Sequence, residues 1–246
     1  MLISIITVNY NNAKDLEKTI NSVISQTFHN YEFIIIDGGS SDNSTEVIRK
    51  NRQYITFWVS EKDAGIYNAM NKGLSHATGK WTFFLNSGDM FASSEVLRSV
   101  NFDVDDEVGA IYGRYKFYDR YDKLQLNEVN NAFSVTKRRY RSMGFSHQSV
   151  FVRTELAKKF MFDETFKLCA DYNMMMQIYK SGYKFRRDNT IISICDGRGG
   201  ASYKNRHLQD LEQARVCGCD KDIAIRAYLL LTNIIRPVYR FIRKLF

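Results

Sequence analysis

Proline is almost absent: the 246 residues contain one, Pro237. It offers no punctuation, so element boundaries have to be read from glycine, asparagine, aspartate and serine. Cysteine is sparse too, at Cys169, Cys195, Cys217 and Cys219, with no Cys-x-x-Cys pair. One glycine separates Cys217 from Cys219, a poor spacing for a zinc knuckle, and reduced thiols are expected. No uninterrupted apolar run reaches the ~18 residues of a membrane span. The chain opens directly on a strand pattern, Leu2 to Val8, without a basic n-region, apolar h-region and cleavage site, so a cytoplasmic location is expected. Repeats and low-complexity linkers are missing. So is a Gly-x-Gly-x-x-Gly turn after the first strand, where Asn9-Tyr10-Asn11-Asn12 stands instead, which argues against a dinucleotide-dependent oxidoreductase.

What is present suits a folded domain. Hydrophobic residues make up 44% and charged residues 25%, ordinary values that argue against disorder. The length allows one α/β domain with or without an appendage. A net charge of +8 suits an anionic partner without choosing among nucleotide phosphates, nucleic acid and acidic lipid.

Strand and helix patterns alternate along the first ninety or so residues. Strands are expected at Leu2–Val8, Tyr31–Ile36, Ile55–Val59 and Trp81–Leu85. Helices are expected at Asn12–Gln26, from a capping box at Asn43-Ser44-Thr45-Glu46 to about Arg52, and at Gly65–His76. Such alternation demands right-handed crossovers and a parallel sheet. Later signals are weaker: strands at Ala110–Tyr115, Ser149–Val152 and around Thr190–Ile194, and a helix at Asp171–Ser181 ending at Gly182. Between Tyr115 and Met143 runs an aromatic and basic stretch, including Lys137-Arg138-Arg139-Tyr140-Arg141, that takes no element and suggests a lid or acceptor-facing loop.

Each of the first four strands ends in a polar cluster, and ligands of open α/β sheets bind at carboxyl strand ends. Thr7, Asn9, Tyr10 and Asn11 end the first; Tyr10 can stack on a base while the amides and hydroxyl meet its edge, and Asn11 or Asn12 can equally cap the first helix. Asp37-Gly38-Gly39-Ser40-Ser41-Asp42 ends the second. Asp37 can accept from a ribose or base, the glycines let backbone approach a ligand, and the same residues also make a plain turn with Asp42 or Asn43 as cap. After the third come Lys62 and Asp63, then Asn68 and Lys72 on one helical face. Lys62 can hold a phosphate or be a solvated lysine. The fourth ends Leu85-Asn86-Ser87-Gly88-Asp89, hard oxygen ligands that suit Mg²⁺ or Mn²⁺ beside a diphosphate, or a Gly-Asp turn.

Taken together these segments resemble the family 2 glycosyltransferases with their GT-A fold. The resemblance is carried by Ile5-Ile6-Thr7-Val8-Asn9-Tyr10-Asn11, Ile34-Ile35-Ile36-Asp37-Gly38-Gly39-Ser40-Ser41-Asp42, Asp63-Ala64-Gly65-Ile66-Tyr67-Asn68-Ala69-Met70-Asn71-Lys72-Gly73, Gly79-Lys80-Trp81 and Phe84-Leu85-Asn86-Ser87-Gly88-Asp89. It is close over the first ninety residues and weaker to about Ser202. The implied fold is an open, mostly parallel twisted α/β sheet flanked by helices. The implied organisation is a glycosyltransferase domain over 1–215, with a nucleotide-sugar half (1–100) and an acceptor half (101–215), followed by a tail over 216–246.

The implied activity is inverting transfer of a hexosyl or N-acetylhexosaminyl group from a nucleoside diphosphate-sugar to a glycan, lipid-linked in surface polysaccharide synthesis, with no nucleic-acid partner. Thr7, Asn9, Tyr10, Asp37, Lys62, Asp63, Asn68, Lys72, Asn86 and Ser87 would contact the donor, with Asp37 on the base. Asn86 and Gly88 stand where the family's Asp-x-Asp has acids, leaving Asp89 as the one carboxylate for a Mg²⁺ or Mn²⁺ ion. That departure keeps alive a catalytically weak or inactive nucleotide- or membrane-binding protein of the same fold. Ala170-Asp171 resembles the family's acidic pair with its first acid replaced, which makes Asp171 the implied general base; a helix N-cap is the bland alternative. His147 and Gln148 lie in a segment similar to one near the acceptor site, and Gly200 in one similar to a loop that closes over the donor.

Residues 223–246 mix Leu229, Leu230, Ile234, Ile235, Tyr239, Phe241 and Ile242 with Arg226, Arg236, Arg240, Arg243 and Lys244. A basic amphipathic helix of this kind can lie on an acidic membrane surface, so the protein is expected at the inner face of the cell membrane. Packing of its apolar side against the domain is the alternative.

Overall fold

The computed structural model describes residues 1–119, 121–129, 131–135, 141–196 and 205–231. The first half is a run of parallel β/α units. Strand β1 (Ile3–Asn9) leads to helix α1 (Ala13–Ile24), β2 (Tyr31–Asp37) to α2 (Ser44–Lys50), and β3 (Phe57–Ser60) to α3 (Ile66–His76), before β4 (Trp81–Phe84). The short β5 (Met90–Phe91) and α4 (Val96–Ser99) follow. The second half holds β6 (Val108–Tyr118), β7 (Leu124–Asn127), β8 (Phe133–Val135), β9 (Arg141–Met143) and β10 (Val150–Arg153). Helices α5 (Thr154–Phe160) and α6 (Ala170–Lys180), strand β11 (Lys184–Asp196) and helix α7 (Arg206–Val216) complete it.

One nine-stranded sheet runs in the order β3-β2-β1-β4-β10-β6-β11-β5, with β7 paired to β6, while β8 and β9 form a separate hairpin. The pairings among β1–β4 are parallel; β10 enters antiparallel to both β4 and β6. The sheet is therefore parallel on the side of the polar clusters and mixed beyond it. The near-continuous apolar strands follow from burial on both faces. Period-two alternation sends Ile3, Ile5, Phe33 and Ile35 toward α1, and Ile6, Val8, Ile34 and Ile36 toward α3. Gly73 on α3 lets that helix sit directly on the sheet: a Cβ there would stand 2.5 Å from Ile6 Cγ2.

Two caps differ from the expected ones. Neither Asn43 nor Asn12 makes a side-chain cap. Asp42 takes both jobs, its Oδ2 accepting from Ala13 N at 2.9 Å and its Oδ1 from Ser44 N at 3.0 Å. One carboxylate thus closes α1 and α2 and ties together the loops that follow β1 and β2. The stretch after Tyr115 is also more regular than expected, since β6 runs on to Tyr118 and pairs with β7. Hydrophobic patterning carries no signal for β7 because that strand is largely exposed. Lys137 to Tyr140 lie outside the described residues.

Candidate active site

The carboxyl ends of β1, β2 and β3 are in register, Asn9 opposite Asp37 and Asp37 opposite Ser60. That row explains the burial of Asp37, which is fully enclosed. Its Oδ1 accepts from Asn9 Nδ2 (2.7 Å) and Ser40 Oγ (2.5 Å), its Oδ2 from Ser40 N (2.9 Å) and Ser60 Oγ (2.6 Å). Burial alone would raise this carboxyl, but the donors from Ser40, Ser60 and Asn9 outweigh it and hold it below its ordinary value of 3.8. A carboxylate offers about four acceptor positions, and all are taken by the protein. Asp37 thereby braces the loop that borders the ligand space. Thr7, two residues before Asn9 on β1, makes its bond within the protein. It is fully buried, and its Oγ1 donates to Leu85 O at 2.7 Å, tying β1 to the end of β4.

Above this row opens a cavity of about 600 Å³. Asn9, Tyr10, Lys62, Asp63, Asn86 and Ser87 line it, with Gly38, Gly39 and Gly65 supplying bare backbone. Tyr10 is 67% exposed at its mouth. A side chain at Gly38 would reach Tyr10 Cδ2 and Asp63 Oδ2, each at 3.2 Å, so glycine keeps open the space between an aromatic ring and a carboxylate.

Lys72 and Asn68 hold neighbouring segments of the protein together. Lys72 Nζ pairs with Asp63 at 2.6 Å and Glu61 at 2.7 Å, and these two acids raise its affinity for the proton. It therefore fixes the loop that carries Lys62 and Asp63. Asn68 accepts from Ala64 N and reaches Glu164 with its amide, beside Asn71, which exchanges two 2.9 Å bonds with the Phe162 backbone.

At the end of β4 the chain turns through Asn86 to Asp89, and the 3₁₀ turn His147–Ser149 packs beneath it. Gln148 Nε2 donates to Asp89 Oδ2 at 2.9 Å. His147 Nε2 lies 3.1 Å from Asn86 Nδ2 and its Nδ1 lies 3.0 Å from Asp171 Oδ2. Asp171 sits in the first turn of α6, whose N-cap residue is Cys169; it is not itself the cap. Burial works against a charged His147, yet the hydrogen bond and charge of Asp171, with the charge of Asp89 behind, raise it above the ordinary 6.5. Nearby, burial pushes the Tyr67 phenol up and the charge of Asp171 adds to it. Asn86 Oδ1 is buried without a hydrogen-bond partner. Among the described residues no cluster of three or more His, Cys, Asp or Glu could hold a metal. Gly200 lies outside the described residues.

Residues 4–166 match the pattern of glycosyl transferase family 2. The chain belongs to that family. Among curated family members, an uncharacterized glycosyltransferase of Mycobacterium tuberculosis is 30% identical over 184 residues, covering 71% of this chain and 68% of that protein. The Escherichia coli UDP-Glc:alpha-D-GlcNAc-diphosphoundecaprenol beta-1,3-glucosyltransferase WfaP is 25% identical over 92% of this chain and 88% of its own. In three dimensions the chain resembles residues 1–349 of Staphylococcus aureus TarS in complex with UDP-GlcNAc, with a TM-score of 0.68 and 18% identity over 88% of this chain and 64% of that one. It likewise resembles the Pyrobaculum calidifontis mannosyltransferase PcManGT in complex with GDP-Man and Mn²⁺, with a TM-score of 0.62 and 17% identity over 91% of this chain and 64% of that one. The chain thus spans just under two thirds of these solved neighbours, and they establish its fold as GT-A.

Several members of this family 2 site carry no strong sequence signal. Ser60 reads as the end of a strand, and only its register opposite Asp37 reveals its part. Glu164 joins Asn68 and Asn71 across more than ninety positions of sequence. The link from His147 to Asn86 is equally non-local.

Proposed function

We propose that this chain is an inverting glycosyltransferase that moves a sugar from a nucleoside diphosphate donor, of the UDP-sugar kind, to a hydroxyl of a lipid-linked glycan. One observation carries the reading: a cavity lined by Tyr10, Asp63, Lys62, Asn86 and Ser87 stands one imidazole away from the carboxylate of Asp171. Tyr10 and Asp63 take the base, Asn86 and Ser87 the ribose, and Lys62 the diphosphate. Asp171 accepts the proton of the acceptor hydroxyl as its oxygen bonds to the anomeric carbon. The bond from that carbon to the diphosphate breaks with its electron pair on the leaving phosphate, and the configuration inverts. The printed activity of WfaP supports a diphospholipid-linked acceptor, and the TarS complex supports UDP.

The end of β4 offers one carboxylate and buried amide oxygen, a donor set that fits a Mg²⁺ or Mn²⁺ ion sharing its ligands with phosphate and water. Asp89 would hold the ion, which would neutralise charge on the departing diphosphate. The tail over 216–246 is proposed to rest on acidic membrane. Ile225 and Leu229 pack on Ala214 of α7, while Ile223, Leu230 and Leu231 are 84%, 59% and 57% exposed. Among the described residues no helix is long and apolar enough to cross a membrane.

Calorimetric titration with a panel of UDP-, GDP- and dTDP-sugars, each with and without Mn²⁺, tests the donor assignment. Binding of a sugar nucleotide, followed by turnover on a lipid-linked acceptor, is expected. A chain that binds none of them and hydrolyses none is an inactive relative, and the proposal fails.

A further inference from the structure

The hydrogen-bond chain from Asn86 through His147 to Asp171 joins the donor cavity to the head of α6. We propose that His147 is the positioning residue of the transfer, holding the Asp171 carboxylate in one orientation and linking it to the cavity through Asn86. The proposal rests on Asp171 being the base.

The chemistry of the chain is directional. Asn86 presents its amide nitrogen to Nε2 at 3.1 Å, so it donates and Nε2 accepts. In a neutral imidazole with Nε2 accepting, the proton is on Nδ1, and Nδ1 then donates to Asp171 Oδ2 at 3.0 Å. The Asn86 bond therefore favours, in the neutral ring, the tautomer that can hold the carboxylate, and the protonated ring donates from Nδ1 to the same oxygen. On the other oxygen, Tyr172 N donates to Asp171 Oδ1 at 2.8 Å. Each oxygen thus carries one donor and keeps a lone pair for an incoming hydroxyl.

The imidazole itself has little freedom. Its side chain is 23% exposed, its neighbour Gln148 is bonded to Asp89, and Ser149 Oγ donates to Ser146 O at 2.9 Å. Asn86 Oδ1 has no partner inside the protein, so the residue keeps an acceptor for a ligand while its nitrogen serves His147.

The test uses the full chain with its sugar nucleotide donor and lipid-linked acceptor, comparing wild type with H147A, H147N, H147Q and D171N. A misplaced reacting group costs on the order of 100-fold in rate, so kcat for H147A should fall by about that factor, with donor KM and UDP affinity within about twofold. An asparagine amide mimics Nδ1, whereas a glutamine amide mimics Nε2. H147N is therefore expected to recover most of the lost rate and H147Q little of it, at equal melting temperatures. H147A turning over within about twofold of wild type while D171N is dead overturns the proposal and leaves the base assignment standing. Equal rates for H147N and H147Q overturn it as well, as a filler of the space would behave that way. Near-normal D171N removes the base assignment, whatever the histidine does.

Discussion

Asp37 carries the largest hydrogen-bonded load of any residue at the strand ends, and its replacement separates bracing from ligand contact. Asp37→Asn puts an amide nitrogen against two of the four donors, of which a serine hydroxyl can turn to accept but the N–H beside it cannot, and a stranded donor costs about 1–3 kcal/mol. The urea midpoint should fall accordingly, with donor affinity falling alongside because the loop that borders the cavity loses its anchor. The pH sign follows from the direction of its shift. Because the folded carboxyl is held below 3.8, its contribution is complete above that value and is lost as pH falls through the lower folded one. Buried Glu32 acts in the same sense: burial raises it, but Ser4, Thr78 and Gly79 lower it below its ordinary 4.5. An acid titration followed by circular dichroism should show wild type losing stability below pH ~4, and D37N losing less over that range. Gly38→Ala should act on the ligand more than on the fold, as exposed Tyr10 can yield to the new methyl. A rise of roughly tenfold in the donor Kd, about 1.4 kcal/mol, at an unchanged melting temperature is the expected result.

At the scale of elements, α3 is the piece that joins core to cavity. Its buried face packs Met70 and Leu74 on β1 and β2, while its first residues line the ligand space. Gly73→Ala forces a methyl against Ile6, and overpacking of this sort costs about 1–3 kcal/mol; denaturant unfolding checks it. The alternation of apolar runs with helical faces was enough to read the first seven elements, because each strand is buried on both sides and each helix on one. Asn9, Tyr10, Lys62, Asp63, Asn86 and Ser87 were legible for the same reason, being polar residues at strand ends. Asn68 and Lys72 share the expected face of α3, but the partners they have within the protein are not legible from the sequence. Their bonds go to Glu164, Glu61 and Asp63, and charge patterning along one segment does not reveal a partner brought in by another. The β6–β7 hairpin stayed hidden because β7 is largely exposed and shows no buried face, and the His147 turn because its bonds to Asn86 and Asp171 join distant segments.

For the whole molecule, a net charge of +8 and the exposed apolar residues of 223–231 bear on where the enzyme works. Sedimentation with anionic vesicles should retain the full chain, weakly at high salt because surface charge is screened. A chain ending before Arg236 should stay in solution and lose activity on membrane-borne acceptor; unchanged sedimentation of that shorter chain contradicts the assignment of the tail. The fold was readable at this scale from motif order, whereas the antiparallel entry of β10, which divides the sheet, left no local trace.

The central claim is that a donor bound over the ends of β1–β4 is attacked by a hydroxyl whose proton goes to Asp171. Its most direct test is D171N, measured in parallel for UDP affinity and for sugar transfer. General-base catalysis contributes on the order of 10²–10⁴-fold. The account predicts a loss in kcat of that size with UDP affinity within about twofold of wild type. Transfer by D171N at near wild-type rate would contradict it.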